Sequence, residues 1–149
     1  MLKEVEIYTD GACSGNPGNG GWAAILSYNG KEKEISGGEK DTTNNKMELQ
    51  AIIEGLKALK EKCKVKLYSD SAYAVSAFTE NWIESWVNNN WKTAGKKEVK
   101  NVDLWKRLLE LYNEHKITFI KVKGHSDNEY NNRCDKIAVS EYKKLNNNQ

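Results

Sequence analysis

Apolar and polar residues alternate from Val5 to Asp10, with Val5 and Ile7 set against Glu6 and Tyr8. A period of two marks a half-buried strand, so a first strand is expected to end near Asp10. Gly11 to Gly21 holds five glycines and the only proline, which predicts a loop or turn. Trp22 to Tyr28 predicts a second strand. Asn29-Gly30 is a strong hairpin signal, so a third strand should run antiparallel from about Lys31. The period then changes. Leu49, Ile52, Ile53, Leu56 and Leu59 recur at helical spacing within Met47 to Leu59. Val65, Leu67 and Ser69 restore the alternation in a fourth strand ending near Asp70. Short helices are expected over Ser71 to Phe78 and Trp82 to Val87, followed by a polar, irregular stretch from Asn88 to Lys100. Val102 to Tyr112 reads as a helix, Ile117 to Val122 as a fifth strand, Gly124 to Asn128 as a loop and Glu129 to Leu145 as a last helix.

The order is β-β-β-α-β-α-α-α-β-α, an α/β arrangement. It predicts a five-stranded mixed sheet flanked by helices. The first three strands should be antiparallel, and the last two should lie parallel to the first through right-handed crossovers. Ligands in such sheets sit beyond the carboxyl ends of parallel strands, where Asp10 and Asp70 stand.

The 149 residues suit one domain, expected over 1–145, with 146–149 as a short Asn-rich tail. Lys plus Arg total 23 against 21 Asp plus Glu, for a net charge of +2. That balance argues against binding nucleic acid by bulk charge alone. No apolar run approaches ~20 residues, so no membrane partner is expected. The charged N-terminus lacks the apolar core of a signal peptide. Cys13, Cys63 and Cys134 are odd in number and far apart, which fits a reducing, cytoplasmic location. With only His115 and His125 besides, a zinc site is not expected.

Two stretches echo each other: Ile7-Tyr8-Thr9-Asp10-Gly11-Ala12 and Leu67-Tyr68-Ser69-Asp70-Ser71-Ala72. Each places an Asp two residues after a Tyr, on the same pleat face. Neighbouring strands would bring these carboxylates within a few ångströms, where like charges raise one another's pKa unless a cation intervenes. Each Asp alone also fits a turn or an N-cap. Glu48 borders the buried stripe of its helix, or closes a capping box with Asn45 as N-cap. Asp135 borders the apolar face of the last helix, or pairs with Arg133 or Lys136. His115, near a helix end, should complement that helix's dipole. Four of the five Trp fall between Trp82 and Trp105, and Lys92, Lys96, Lys97 and Lys100 stand against Glu98 alone between Trp86 and Val102. Cations interleaved with rings suit a nucleic-acid groove. Trp105, on a clear apolar stripe, is expected in the core.

Thr9-Asp10-Gly11-Ala12-Cys13, Gly15-Asn16-Pro17-Gly18, Thr43-Asn44-Asn45-Lys46-Met47-Glu48, Ser69-Asp70-Ser71, Lys123-Gly124-His125 and Asn132-Arg133-Cys134-Asp135 together resemble the motif series of type 1 ribonucleases H. The match runs from Met1 to about Tyr142 and is nearest the bacterial type with a basic, Trp-rich handle, here 82–102. The resemblance implies a ribonuclease H-like fold and hydrolysis of the RNA strand of RNA–DNA hybrids, leaving 5′-phosphate and 3′-hydroxyl ends. It implies that Asp10, Glu48, Asp70 and Asp135 hold two Mg²⁺ ions, with Mn²⁺ able to substitute, and that His125 assists catalysis. Groups around Cys13, Asn16, Asn45 and Glu48 would read the hybrid's 2′-hydroxyls, Asn44 would also bind substrate, Thr43 and Asn101 would grip a DNA-strand phosphate, and Trp82 and Trp86 would line the DNA-strand groove. Lys92, Lys96, Lys97 and Lys100 belong to the implied handle. A monomer acting on a hybrid duplex is expected.

Asp41, Ala72 and Asn88-Asn89-Asn90 depart from the family pattern, which predicts weaker substrate binding with cleavage retained. A metal-dependent DNA nuclease or resolvase of related fold is the alternative enzyme. A non-catalytic hybrid-binding module is the alternative from another class, although a cluster of negative charge serves no mere binder of phosphates.

Overall fold

Alternation along β1 (Lys3–Cys13) sends Val5 and Ile7 into one core and Tyr8 into another, so this strand is covered on both faces. β2 (Gly18–Tyr28) divides in the same way: Ala24 and Leu26 face the larger core, Ala23 and Ile25 the smaller. β3 (Lys31–Thr42) is the exposed edge. The remaining elements are α1 (Asn44–Lys57), β4 (Cys63–Ser69), α2 (Ala72–Thr79), α3 (Trp82–Asn88), α4 (Val102–Glu114), β5 (Lys116–Lys121) and α5 (Glu129–Asn147). This computed structural model describes residues 1–123 and 128–147. The sheet order is β3-β2-β1-β4-β5, with β1, β2 and β3 antiparallel and β1, β4 and β5 parallel, as the element order predicts.

Helix α1 contributes Leu49, Ile52, Ile53 and Leu56 to the larger core, and α4 adds Trp105, Leu108 and Leu111. Trp105 is fully buried, as its apolar stripe requires. Helix α5 covers the other face through Cys134 and Ala138. It lies so close to β2 that a Cβ on Gly21 would sit 2.0 Å from the Ala138 carbonyl oxygen. Only glycine admits that approach. Among the described residues, no helix is long and apolar enough to cross a membrane.

The glycine-rich stretch is mostly strand, which corrects the expected loop over Gly11 to Gly21. Gly11 pairs with Trp22, Ala12 with Gly21 and Cys13 with Gly20, leaving a short turn tied by the Ser14 amide to the Asn19 carbonyl at 2.8 Å. These glycines serve close packing of helices on the sheet, which a turn-propensity reading cannot distinguish from flexibility. Likewise α1 starts before Met47, because Thr43 rather than Asn45 is its N-cap and accepts from the Lys46 amide at 3.2 Å. The irregular stretch after α3 folds back on itself: Lys92 bridges Glu98, and the Val99 amide donates to the Trp91 carbonyl at 3.0 Å.

His115 is not the dipole-complementing cation that its position suggests. It ends α4, and its Nδ1 accepts the Cys63 amide at 3.1 Å. Accepting there requires a neutral ring, and burial lowers its pKa from the ordinary 6.5. A depressed histidine pKa means that the unfolded chain takes up the proton first, so this stabilisation is lost as pH falls below about 6.5. Between pH 7.5 and 5.5 the wild type should lose more thermal stability than His115→Gln, measured by circular dichroism, with a difference of about 1 kcal/mol or less. Equal losses would remove His115 from that role.

Candidate active site

Parallel pairing of β1 with β4 ends at Tyr8 opposite Tyr68. Their rings stack at 4.7 Å, and Tyr130 of α5 stacks on Tyr8 at 4.5 Å. Two residues further on, Asp10 and Asp70 emerge side by side. The matched Tyr-x-Asp spacing therefore does what the repeated sequence predicts. Ser71 caps α2 through its hydroxyl, so Asp70 itself is spared the capping role.

Glu48 reaches the same point from the first turns of α1. It is 5 % exposed and Asp10 6 %. One carboxylate oxygen from each of Asp10, Glu48 and Asp70 can be chosen so that all lie within 4.8 Å of one another. The Gly11 amide donates to both Glu48 Oε1 and Asp10 Oδ1, the latter at 3.0 Å. Gly11 is indispensable here, because a Cβ would sit 2.4 Å from the Glu48 backbone nitrogen. Asp135 faces Asp10 from α5, and all four acids line one cleft of about 240 Å³. Arg133 does not neutralise Asp135; it pairs with Glu32 and Glu34 on β3.

Burial pushes the Asp10 carboxyl up to about 8, with the nearby Asp70 charge the next cause. Burial also raises Glu48 well above the usual carboxylate range, followed by the charges of Asp10 and Asp70. Acids so placed hold a proton or a cation. The donors are all oxygen, which suits a hard divalent ion, and no thiolate or imidazole joins the three among the described residues.

Cys13 and Asn44 line the same cleft. Asn16 accepts the Asn44 amide at 3.2 Å, which ties the β1–β2 turn to the start of α1 where Asn45 is exposed. Thr43 is occupied as a cap. Asn101 takes left-handed backbone (φ 60°), and its side-chain amide donates to the Tyr73 hydroxyl at 3.2 Å. That hydroxyl also accepts from the Trp105 indole at 3.0 Å. Trp82 is exposed; Trp86 packs between it, Trp91 and Trp105. Lys92, Lys96, Lys97 and Lys100 are all exposed. His125 lies outside the described residues.

Gly11 and Lys123, which the motifs contain without a role, also line the cleft, as does Asn131, which no motif contains. Asn131 had a readable signal, since it precedes Asp135 by one helical turn.

The model of the RNase H family matches residues 2–143. The ribonuclease H of Acetivibrio thermocellus is 67% identical over 143 residues, covering 96% of this chain and 97% of that one. The ribonuclease H of Caldanaerobacter subterraneus is 66% identical, covering 94% and 92%. Among solved structures, LC9-RNase H1, described as a type 1 RNase H with the type 2 active-site motif, superposes with a TM-score of 0.86. It is 26% identical and covers 97% of this chain and 74% of its own. LC11-RNase H1, solved in complex with an RNA/DNA hybrid, shares the fold at a TM-score of 0.71 and 23% identity, covering 95% and 98%. With its sheet order, its converging carboxylates and these relatives, the chain belongs to the ribonuclease H family.

Proposed function

We propose that this chain hydrolyses the RNA strand of RNA–DNA hybrids at the carboxylate cleft, leaving 5′-phosphate and 3′-hydroxyl ends. The observation that carries the site assignment is the convergence of Asp10, Glu48 and Asp70 on one point. These three and Asp135 would hold two divalent ions, Mg²⁺ with Mn²⁺ able to substitute; when bound, such ions activate water and stabilise the leaving oxygen. Asp10 and Glu48 supply charge from a dry setting, where each interaction is stronger than in water. The Gly11 amide holds these two acids in fixed orientation and costs no rearrangement during turnover. A phosphate cannot approach such acids unaided, which makes activity wholly dependent on added cation.

Cys13, Asn16, Asn45 and Glu48 stand at or beside the cleft, suited to the 2′-hydroxyls that distinguish RNA from DNA, and Asn44 is assigned to substrate binding beside them. Thr43 and Asn101 are assigned to a DNA-strand phosphate. Trp82 and Trp86 are assigned to the DNA-strand groove, and the handle lysines to phosphates. His125 is assigned to proton transfer or product release. Three free thiols fit a reducing, cytoplasmic setting.

An end-labelled hybrid incubated beside duplex DNA and duplex RNA tests the substrate. Cleavage confined to the RNA of the hybrid is expected; faster cleavage of duplex DNA would overturn the proposal. Replacing Lys96 and Lys97 together with Ala should weaken hybrid binding and reduce the slope of log K against log salt by about 1–2. A fluorescence-anisotropy titration at several salt concentrations measures it, and an unchanged slope would contradict the handle's role.

A further inference from the structure

Backbone pairing does not fix the distance between Asp10 and Asp70. The β1–β4 ladder stops at Tyr8 opposite Tyr68. Beyond it, β1 continues with β2 alone, and β4 gives way to α2 after Ser69. The acids thus stand where the two strands part.

Two side chains bridge the gap. Thr9 Oγ1 donates to the Tyr68 carbonyl at 3.2 Å. Asn131, from the first turn of α5, donates its side-chain amide to the Thr9 carbonyl at 3.2 Å and points the same nitrogen at the Tyr68 carbonyl at 3.5 Å. One carboxamide nitrogen has two hydrogens, enough for one carbonyl on each strand. Asn131 is 8 % exposed, and among the described residues its buried Oδ1 has no hydrogen-bond partner. An orphaned buried acceptor is destabilising. An amide kept at that expense points to a geometric task that an apolar side chain could not perform. Asp135 lies one turn further along α5, on the same face.

The geometry points to Asn131 as a positioning residue: its amide clamps the Thr9 and Tyr68 carbonyls, setting the Asp10–Asp70 separation and seating Asp135 opposite Asp10. The inference rests on the assignment of these acids as cation ligands. It makes Asn131 the supporting partner of the ligands, and loss of such partners commonly lowers metal affinity or activity 10–100-fold.

Asn131→Ala tests it through two readouts. Calorimetric titration with Mn²⁺, free of substrate, should show affinity at least about tenfold weaker than wild type. Hybrid cleavage at saturating metal should show kcat reduced about 10–100-fold with KM within about twofold. Leu111→Ala, in the core of α4 far from these carbonyls in sequence, controls for lost stability and should leave metal affinity and kcat unchanged well below its unfolding temperature. If the Ala chain does not fold, Asn131→Ser, with one short donor, should show the same split at about threefold or more. Wild-type metal affinity and kcat in whichever variant folds would overturn the inference. A wild-type chain that binds no Mn²⁺ would instead overturn the ligand assignment beneath it.

Discussion

Asp10→Asn should do two opposite things. Cleavage of the hybrid should fall at least about 10³-fold, because the most central of the converging acids no longer carries charge. The metal-free chain should at the same time become more stable, by about 2–4 kcal/mol. The sign follows from the raised pKa. Asp10 is pushed up to about 8 by burial and by Asp70, whereas in the unfolded chain it titrates near 3.8. The native state therefore binds more protons than the unfolded state between those values, and stability falls as pH rises through that window. Asn cannot ionise, so its advantage should grow from pH 5 to pH 8. Urea unfolding of both proteins in EDTA, at both pH values, measures it. A variant less stable than wild type at pH 8, or one that cleaves normally, would refute the electrostatic description of the cleft.

The second large effect is expected at Gly11. A methyl group there would lie 2.4 Å from both the Glu48 nitrogen and the Met47 carbonyl carbon. Both are backbone atoms near the start of α1, so relief requires the helix to move away from β1. That motion also pulls Glu48 from the amide it shares with Asp10. Gly11→Ala should cost about 3 kcal/mol or more in stability. Below its unfolding transition, its kcat should still be down at least about tenfold. Gly95→Ala, where a Cβ would meet only Thr93 Oγ1 at 3.9 Å, should change stability by less than about 0.5 kcal/mol. Thermal unfolding and initial rates on one preparation separate the two effects. Near-wild-type values for Gly11→Ala would show that the close approach of α1 to β1 is not needed.

Gly11 also shows where sequence reading stops. Its neighbourhood predicts a loop, because glycine marks turns and tight packing with the same letter. Pairing with Trp22 and contact with α1 depend on residues some eleven to thirty-seven positions away, which local pattern cannot see. The Asp10–Asp70 pair was legible for the opposite reason. Strand period and the repeated Tyr-x-Asp fix both side chains on one face, and only the adjacency of β1 and β4 remained to be supplied. Glu48 was legible as bordering a buried stripe, but its near-complete burial depends on how α1 seats against β1. His115 was misread because its partner, the Cys63 amide, is 52 residues distant. Asn131 shares a helix face with Asp135, but that spacing does not show what its amide holds. Its task depends on two carbonyls on two other elements.

The central claim is that these acids form one cation site whose charge the metal-free fold resists. Titration calorimetry of Mn²⁺ into the metal-free protein at pH 7, repeated in two buffers of different ionisation enthalpy, tests it most directly. Since Asp10 and Glu48 are held protonated above the usual range, binding should release protons, and both binding and release should be lost in Asp10→Asn. Binding without proton release, or binding undiminished in the variant, would contradict the account.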